Sequence, residues 1–210
     1  MTVDEAVTAD EVEGRRPHGR DECVRAIVQA ASVLFADRGP AAVSLREVAA
    51  AAKVNLGLIH RHVGSKHDLL VAVLRSRPGV GQLDVATYED AAELVADLVA
   101  LREPRPLQLL VIVRALLDGY DLVELGVELP FLRRGADLLA ERLDPEDAVA
   151  RAALAAAMVL GWHTAGGAYL RVLGGTRVTV ADLVDSVRPA IAAMLAAPAG
   201  TRSDVPRGKL

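Results

Sequence analysis

Apolar residues recur every three or four positions along most of the chain, the spacing that lines one face of an α-helix. Between about Arg20 and Asp37 the stripe is Val24, Ile27, Val28, Ala31, Leu34 and Phe35, and Gly39-Pro40 ends it, the glycine being suited to a left-handed cap. A second helix is predicted to start at Ser44. The run Ser44-Leu45-Arg46-Glu47 has capping-box spacing, in which the serine oxygen accepts from the Glu47 amide and the Glu47 carboxylate reaches back. Leu45, Val48, Ala49 and Ala52 form its buried side. After a break near Lys53-Val54, Asn55 caps a third helix through about Val63. Gly64-Ser65 breaks the chain again, and Ser65-Lys66-His67-Asp68 offers a variant cap for a fourth helix carrying Leu69, Leu70, Val73 and Leu74. Pro78-Gly79-Val80-Gly81 reads as a linker. Further helices are expected over about 88–102, 106–119, 129–143, 145–173 and 180–197, with breaks at Pro104 and Pro106, Gly119, Pro130, Asp144-Pro145 and Gly174-Gly175.

Composition narrows the picture to an all-α protein. Of 210 residues, 52% are hydrophobic but only 3% aromatic, so the core must come from Leu, Val, Ile and Ala. A lone cysteine, Cys23, excludes an intramolecular disulfide and suits a reducing cytosol. No stretch has the uninterrupted apolar length of a membrane span, and Met1–Gly14 lacks the basic start and apolar run of a signal peptide. A cytoplasmic protein is expected. Its parts are expected at 1–18 (disordered acidic lead-in), 19–78 and 85–198 (two helical domains) and 199–210 (loose tail).

The net charge of −4 hides a strong division. Residues 1–13 carry −5, residues 14–77 carry +6 and residues 78–210 carry −5, and four of the five histidines lie in the basic block. Phosphates respond to local rather than total charge. The segment Leu45–Val63 also has the pattern of two short helices held at a fixed angle. Val48, Ala49, Ala52, Val54 and Ile59 are small or apolar at the contact positions. The second helix would then enter the major groove first turn foremost, presenting Asn55, Leu56, Gly57 and His60.

The stretch Ile27 to Leu74, IVQAASVLFADRGPAAVSLREVAAAAKVNLGLIHRHVGSKHDLLVAVL, resembles the amino-terminal domain of the TetR family of bacterial regulators. The likeness lies in the AA-x-x-LF run, the glycine before the second helix, S-L-R-E-V-A, V-N-x-G-x-I and the final G-S-K-x-x-L-L. It covers about a quarter of the chain. Three positions depart from the family pattern: Lys53 stands where glycine is usual in the turn, His60 where tyrosine is common, and Val63 where phenylalanine is common. A left-handed backbone at Lys53 would carry strain of about 1 kcal/mol, which a phosphate contact would offset in part.

The chemistry of each residue then suggests a role. Lys66 opens the fourth helix, where its ammonium and the helix amides meet one phosphate. Ser44 and Arg46 hold the opposite backbone, and Arg61 contacts a phosphate or a guanine edge. His60 donates to a phosphate, and Asn55 either reads adenine or only caps the helix. His60 and His62 are two residues apart, on different helix faces, and make a poor metal pair. No metal, cofactor or catalytic set is expected.

For the carboxyl-terminal half, the family resemblance implies an apolar effector pocket among the middle helices and a dimer formed by the last two. Pro106–Gly119 is apolar nearly all round, as in a helix buried on several sides. Leu116, Tyr120, Phe131, Trp162 and His163 are the candidate pocket residues, with core packing or dimer contact as competing roles for each. Pro189 is expected to kink or divide the last helix. A homodimer reading a palindromic operator on double-stranded DNA, released by a small-molecule effector, is the implied function. The alternatives are a regulator without such an effector and an all-helical small-molecule-binding protein or enzyme without DNA binding. Against the enzyme, the chain lacks an H-E-x-x-H site, a P-loop, a dinucleotide glycine fingerprint and a nucleophile elbow. Asp118 and Asp121 are explained by a solvated helix end.

Overall fold

The computed structural model describes Pro17, residues 19–76, Val80, and residues 83–101, 106–174 and 180–196. The acidic lead-in up to residue 16, most of the 78–81 linker and the tail from 197 onward lie outside the described residues. So do the side chains of Leu183 and Val187. Among the described residues the secondary structure is helical throughout, as expected. The chain divides into two compact units, Met1–Gly79 with Leu107–Val127, and Val80–Pro106 with Glu128–Leu210. A helix beyond the linker thus belongs with the amino-terminal unit.

The first unit contains α1 (Arg20–Arg38), α2 (Leu45–Ala51), α3 (Leu56–His62), α4 (Lys66–Ser76) and α6 (Leu107–Leu117). Its centre is α1, which packs against each of the other four. That many partners bury a band wider than one stripe: Cys23, Ile27, Ala31, Ser32, Phe35 and Ala36 are buried, while Val24, Val28 and Leu34 sit half-buried at its edge. Ser32 is accommodated because its hydroxyl donates to the Val28 carbonyl at 2.7 Å. The four apolar residues expected on α4, Leu69, Leu70, Val73 and Leu74, are all fully buried.

α6 is buried on one side only, contrary to the expectation from its apolar composition. Gln108, Leu109, Val111, Ile112 and Ala115 face inward, whereas Leu116 and Leu117 are exposed. An all-round apolar pattern cannot say which face finds a neighbour. The buried Gln108 donates from Nε2 to the Leu74 carbonyl at 2.8 Å, satisfying one of the acceptors left open in the last turn of α4. Its Oε1 has no partner among the described residues.

The second unit contains a 3-10 turn (Val85–Thr87), α5 (Ala91–Ala100), α7 (Pro130–Ala140), α8 (Pro145–Val172) and α9 (Val180–Ala196). α5 is its hub, packing against α7, α8 and α9. Asp90 caps α5, accepting from the Ala92 and Glu93 amides at 2.6 and 3.1 Å. Asp144 caps α8 with Pro145 at the first helical position, as expected. Arg134 donates twice to the Tyr88 carbonyl, at 3.1 and 2.6 Å, and Tyr88 donates to Asp97 at 2.7 Å. Burial, with the Asp97 carboxylate beside it, pushes the Tyr88 hydroxyl up to about 12.

α9 runs unbroken through Pro189 and is not divided there. α8 is, by length and composition alone, apolar enough to cross a membrane, with 22% of its most apolar window buried. Its alanines, valines and leucines keep mean hydropathy high although Trp162, His163 and Thr164 interrupt the run. Helix α8 exposes Leu154 (64%), Met158 (37%) and Val172 (85%).

The amino-terminal core should respond steeply to truncation at Ile59, the one buried residue of α3. Ile59→Ala is expected to lower stability by about 2–5 kcal/mol, through lost transfer energy and the cavity left behind. A fall in the denaturant midpoint with unchanged m-value is the result to look for.

Candidate nucleic-acid interface

Each short helix is started by its own local sequence. At α2 the Ser44 amide and hydroxyl both donate to Glu47 Oε2 at 2.8 Å, and the Glu47 amide donates back to Ser44 Oγ at 3.3 Å. This is the predicted capping box. Arg38, which has no place in the motif, reinforces it with an ion pair to Glu47 at 2.7 Å. The hydrogen bonds from Ser44, then Arg38, lower the Glu47 carboxyl to about 2. At α4 the same device recurs with an aspartate: the Ser65 amide and hydroxyl donate to Asp68 Oδ2 at 2.8 and 2.7 Å, and the Asp68 amide returns to Ser65 Oγ at 3.2 Å. These bonds from Ser65 hold the Asp68 carboxyl below its usual range.

The turn from α2 to α3 passes through Lys53 at φ 54°, the only non-glycine residue with positive φ among the described residues. The left-handed backbone that the family pattern raised at this position is therefore present. The Val54 amide closes the turn on the Ala49 carbonyl at 3.0 Å. Asn55 then caps α3, its Oδ1 accepting from the Gly57 amide at 2.7 Å. Of its two open roles, capping is the one realised here; the side-chain NH₂ keeps its two donors.

In α3, Ile59 points into the core while Gly57, His60 and Arg61 are exposed and Leu56 is half-buried. At about 100° per residue, Gly57 and Arg61 lie on the side away from Ile59, and His60 flanks them. Ser44, Arg46, Lys53 and Asn55 are exposed as well. Arg46, His60 and Arg61 form no hydrogen bond or ion pair among the described residues. Lys66 is half-buried, and its ammonium donates to the carbonyls of Ala41 and Val43, both at 3.1 Å. Two of its three hydrogens are thus committed within the protein.

The five candidate pocket residues are not brought together within either unit. Leu116 is exposed and Tyr120 half-buried in the first unit. In the second, Phe131 lines an apolar cavity of about 20 Å³ with Leu94, Leu98, Leu132, Ala155 and Val159. That is far below the roughly 300 Å³ or more of a small-molecule site. Trp162 and His163 instead hold the end of α5: the indole donates to the Val99 carbonyl at 3.2 Å and His163 Nε2 to the Leu98 carbonyl at 2.7 Å. Open carbonyls at a helix end attract such donors. Among the described residues no cluster of His, Cys, Asp and Glu could hold a metal ion.

Comparison with known proteins bears on this geometry. The model of the bacterial regulatory proteins of the tetR family matches residues 27–73, which contain α2, α3 and most of α1 and α4. The HTH-type transcriptional repressor Rv3405c of Mycobacterium tuberculosis (strain ATCC 25618 / H37Rv) is 38% identical over 183 residues, 86% of this chain and 93% of that protein. The chain belongs to the TetR family. Among solved structures, the multidrug binding protein EbrR complexed with imidazole is 25% identical, with a TM-score of 0.51, covering 92% of this chain and 100% of that one. A HlyIIR mutant in which one segment is substituted by a linker shares the fold at 15% identity and a TM-score of 0.55, covering 80% of this chain and 96% of that one. The pair α2–α3 is therefore the helix-turn-helix of a TetR-family transcriptional regulator.

Two outcomes follow from the local geometry. Lys53→Gly relieves the positive φ and should raise stability by about 0.5–1 kcal/mol, the relief exceeding the entropy cost of glycine; a higher thermal midpoint checks it. The Glu47 carboxylate is favoured in the folded state, so its contribution is complete above the unfolded value of 4.5 and is lost as pH falls towards about 2. Carboxyl chemical shifts should place the Glu47 titration well below 4.5, and Ser44→Ala should move it back up.

Proposed function

We propose that this regulator is a homodimeric, cytoplasmic repressor that binds a palindromic operator and leaves it when a small, largely apolar effector binds. The observation that carries the DNA-binding face is the exposed side of α3, with Gly57, His60 and Arg61 outward and Ile59 buried. Asn55 and Leu56 stand at its start. Ser44, Arg46 and Lys53 on one side and Lys66 on the other would take phosphates, Lys66 with its remaining hydrogen. Phosphate contacts fix register, while the α3 face meets base edges. Repression is drawn from the mycobacterial relative, which is named as a repressor, and no catalytic role is proposed.

The dimer is supported by α8. Leu154, Met158, Gly161, Ala165, Ala168 and Val172 follow one another at three- and four-residue steps and are exposed or half-buried in the monomer. An apolar stripe of small and flexible residues allows close approach of a second helix, and closed two-fold pairing is the commonest assembly. Two α3 helices about 34–36 Å apart would then read successive turns of one DNA face. For the effector, the support is the apolar lining of the Phe131 cavity together with EbrR, a protein named as multidrug binding. The cavity would have to widen on binding, so the effector would favour a conformation other than the one described, and release follows if DNA favours the narrow form.

The test is an anisotropy titration on the DNA upstream of its own gene at several salt concentrations, alongside light scattering. Sequence-preferring, salt-sensitive binding by a particle of twice the chain mass is expected. Arg61→Ala should weaken binding by about 1–3 kcal/mol if it meets a base edge, and Leu154→Glu should reduce the mass towards one chain. Binding that ignores sequence would defeat the proposal.

A further inference from the structure

The turn between α1 and α2, Gly39 to Val43, has no helix to satisfy its backbone, yet its last three carbonyls are each held by a side chain. The Ala41 and Val43 carbonyls accept from Lys66, and the Ala42 carbonyl accepts from Arg38 at 3.1 Å. The remaining attachment comes from far along the chain. The Ala41 amide donates to Asp118 Oδ2 at 2.6 Å, across a sequence separation of 77 residues. Ala41 is thus gripped at both of its backbone polar groups, by an acid at the end of α6 and by the lysine that opens α4.

A second observation places the same carboxylate close against the turn. Gly39 has φ 86° and ψ 151°, a region open essentially only to glycine. A Cβ placed there would lie 2.8 Å from Asp118 Oδ2. A side chain at 39 would therefore meet the carboxylate that holds Ala41. One turn back along α6, Arg114 donates to the Asp37 carbonyl at 3.1 Å, fixing the end of α1 against the same stretch of α6.

We infer that Asp118 is a positioning residue for DNA binding. It touches no DNA. By holding Ala41 it fixes the two carbonyls that aim the Lys66 ammonium, and so sets where the third hydrogen of Lys66 meets a phosphate. The role rests on the proposed DNA-binding face but goes beyond it, because it assigns a function to an acidic residue that electrostatics alone would keep away from DNA.

The test compares Asp118→Ala, Asp118→Asn, Lys66→Ala and the double variant Asp118→Ala/Lys66→Ala in operator titrations over a range of salt. Asp118 is exposed, so its truncation leaves the core intact; thermal melts verify this, with Asp118→Ser as a second truncation. Asp118→Ala is expected to lose roughly ten-fold in affinity. Its salt dependence should become shallower by up to about 0.9 in logarithmic slope, the share of a single lysine–phosphate pairing. Asparagine keeps an oxygen that can accept from Ala41, so Asp118→Asn should behave like the wild type. The double variant should be no weaker than Lys66→Ala. Wild-type salt slope in Asp118→Ala, additive losses in the double variant, or failure of asparagine to rescue would each overturn the inference. Absence of operator binding by the wild type would instead overturn the proposed function.

Discussion

Ile59 alone anchors α3 in the hydrophobic core: of its seven residues, no other is buried. A helix this short has little stability of its own, since nucleation is costly and few intrahelical bonds repay it. Its place and rotation are imposed by that side chain, by Asn55 at its start and by the turn at Lys53. With Ile59 fully buried, the face carrying Gly57, His60 and Arg61 has only one direction left, outward. The chemistry of the exposed side is therefore decided by packing on the other.

The capping residues matter for the same reason. Ser44 with Glu47, Asn55 alone, and Ser65 with Asp68 start three consecutive helices. Each satisfies amides that would otherwise point into solvent or leave the helix free to begin elsewhere. They also place acids beside the surface proposed to meet phosphate. Glu47 and Asp68 remain compatible with that surface because their oxygens are turned onto serine hydrogens, and for Glu47 onto Arg38 as well. What faces outward includes the basic residues Arg46, Lys53, His60 and Arg61.

Much of this was legible in the sequence because it is local. A cap is written in four residues and an amphipathic stripe in a dozen. The starts of α2, α3, α4 and α8 and the buried set on α4 could all be read from neighbours in the chain. The illegible parts depend on partners distant in sequence. Periodicity identified α6 as apolar but not that its buried side packs in the amino-terminal unit, nor that Leu116 and Leu117 would be left exposed. Asp118 read as a solvated acid because its partner is a backbone amide, which has no signature in the sequence. Trp162 and His163 stood out correctly as large groups in an aliphatic region, but large polar-tipped side chains serve carbonyls as readily as ligands.

Trp162 is the chain's single tryptophan, and its indole lies so close over Gly166 that any Cβ there would collide with the ring. The glycine lets the ring lie along its own helix and still reach the Val99 carbonyl on α5. Intrinsic fluorescence excited selectively at the indole consequently comes from one known place, the seam of α5 and α8, with no second emitter to dilute it. Whatever slides, opens or fills that seam is reported by an optical label the protein already carries.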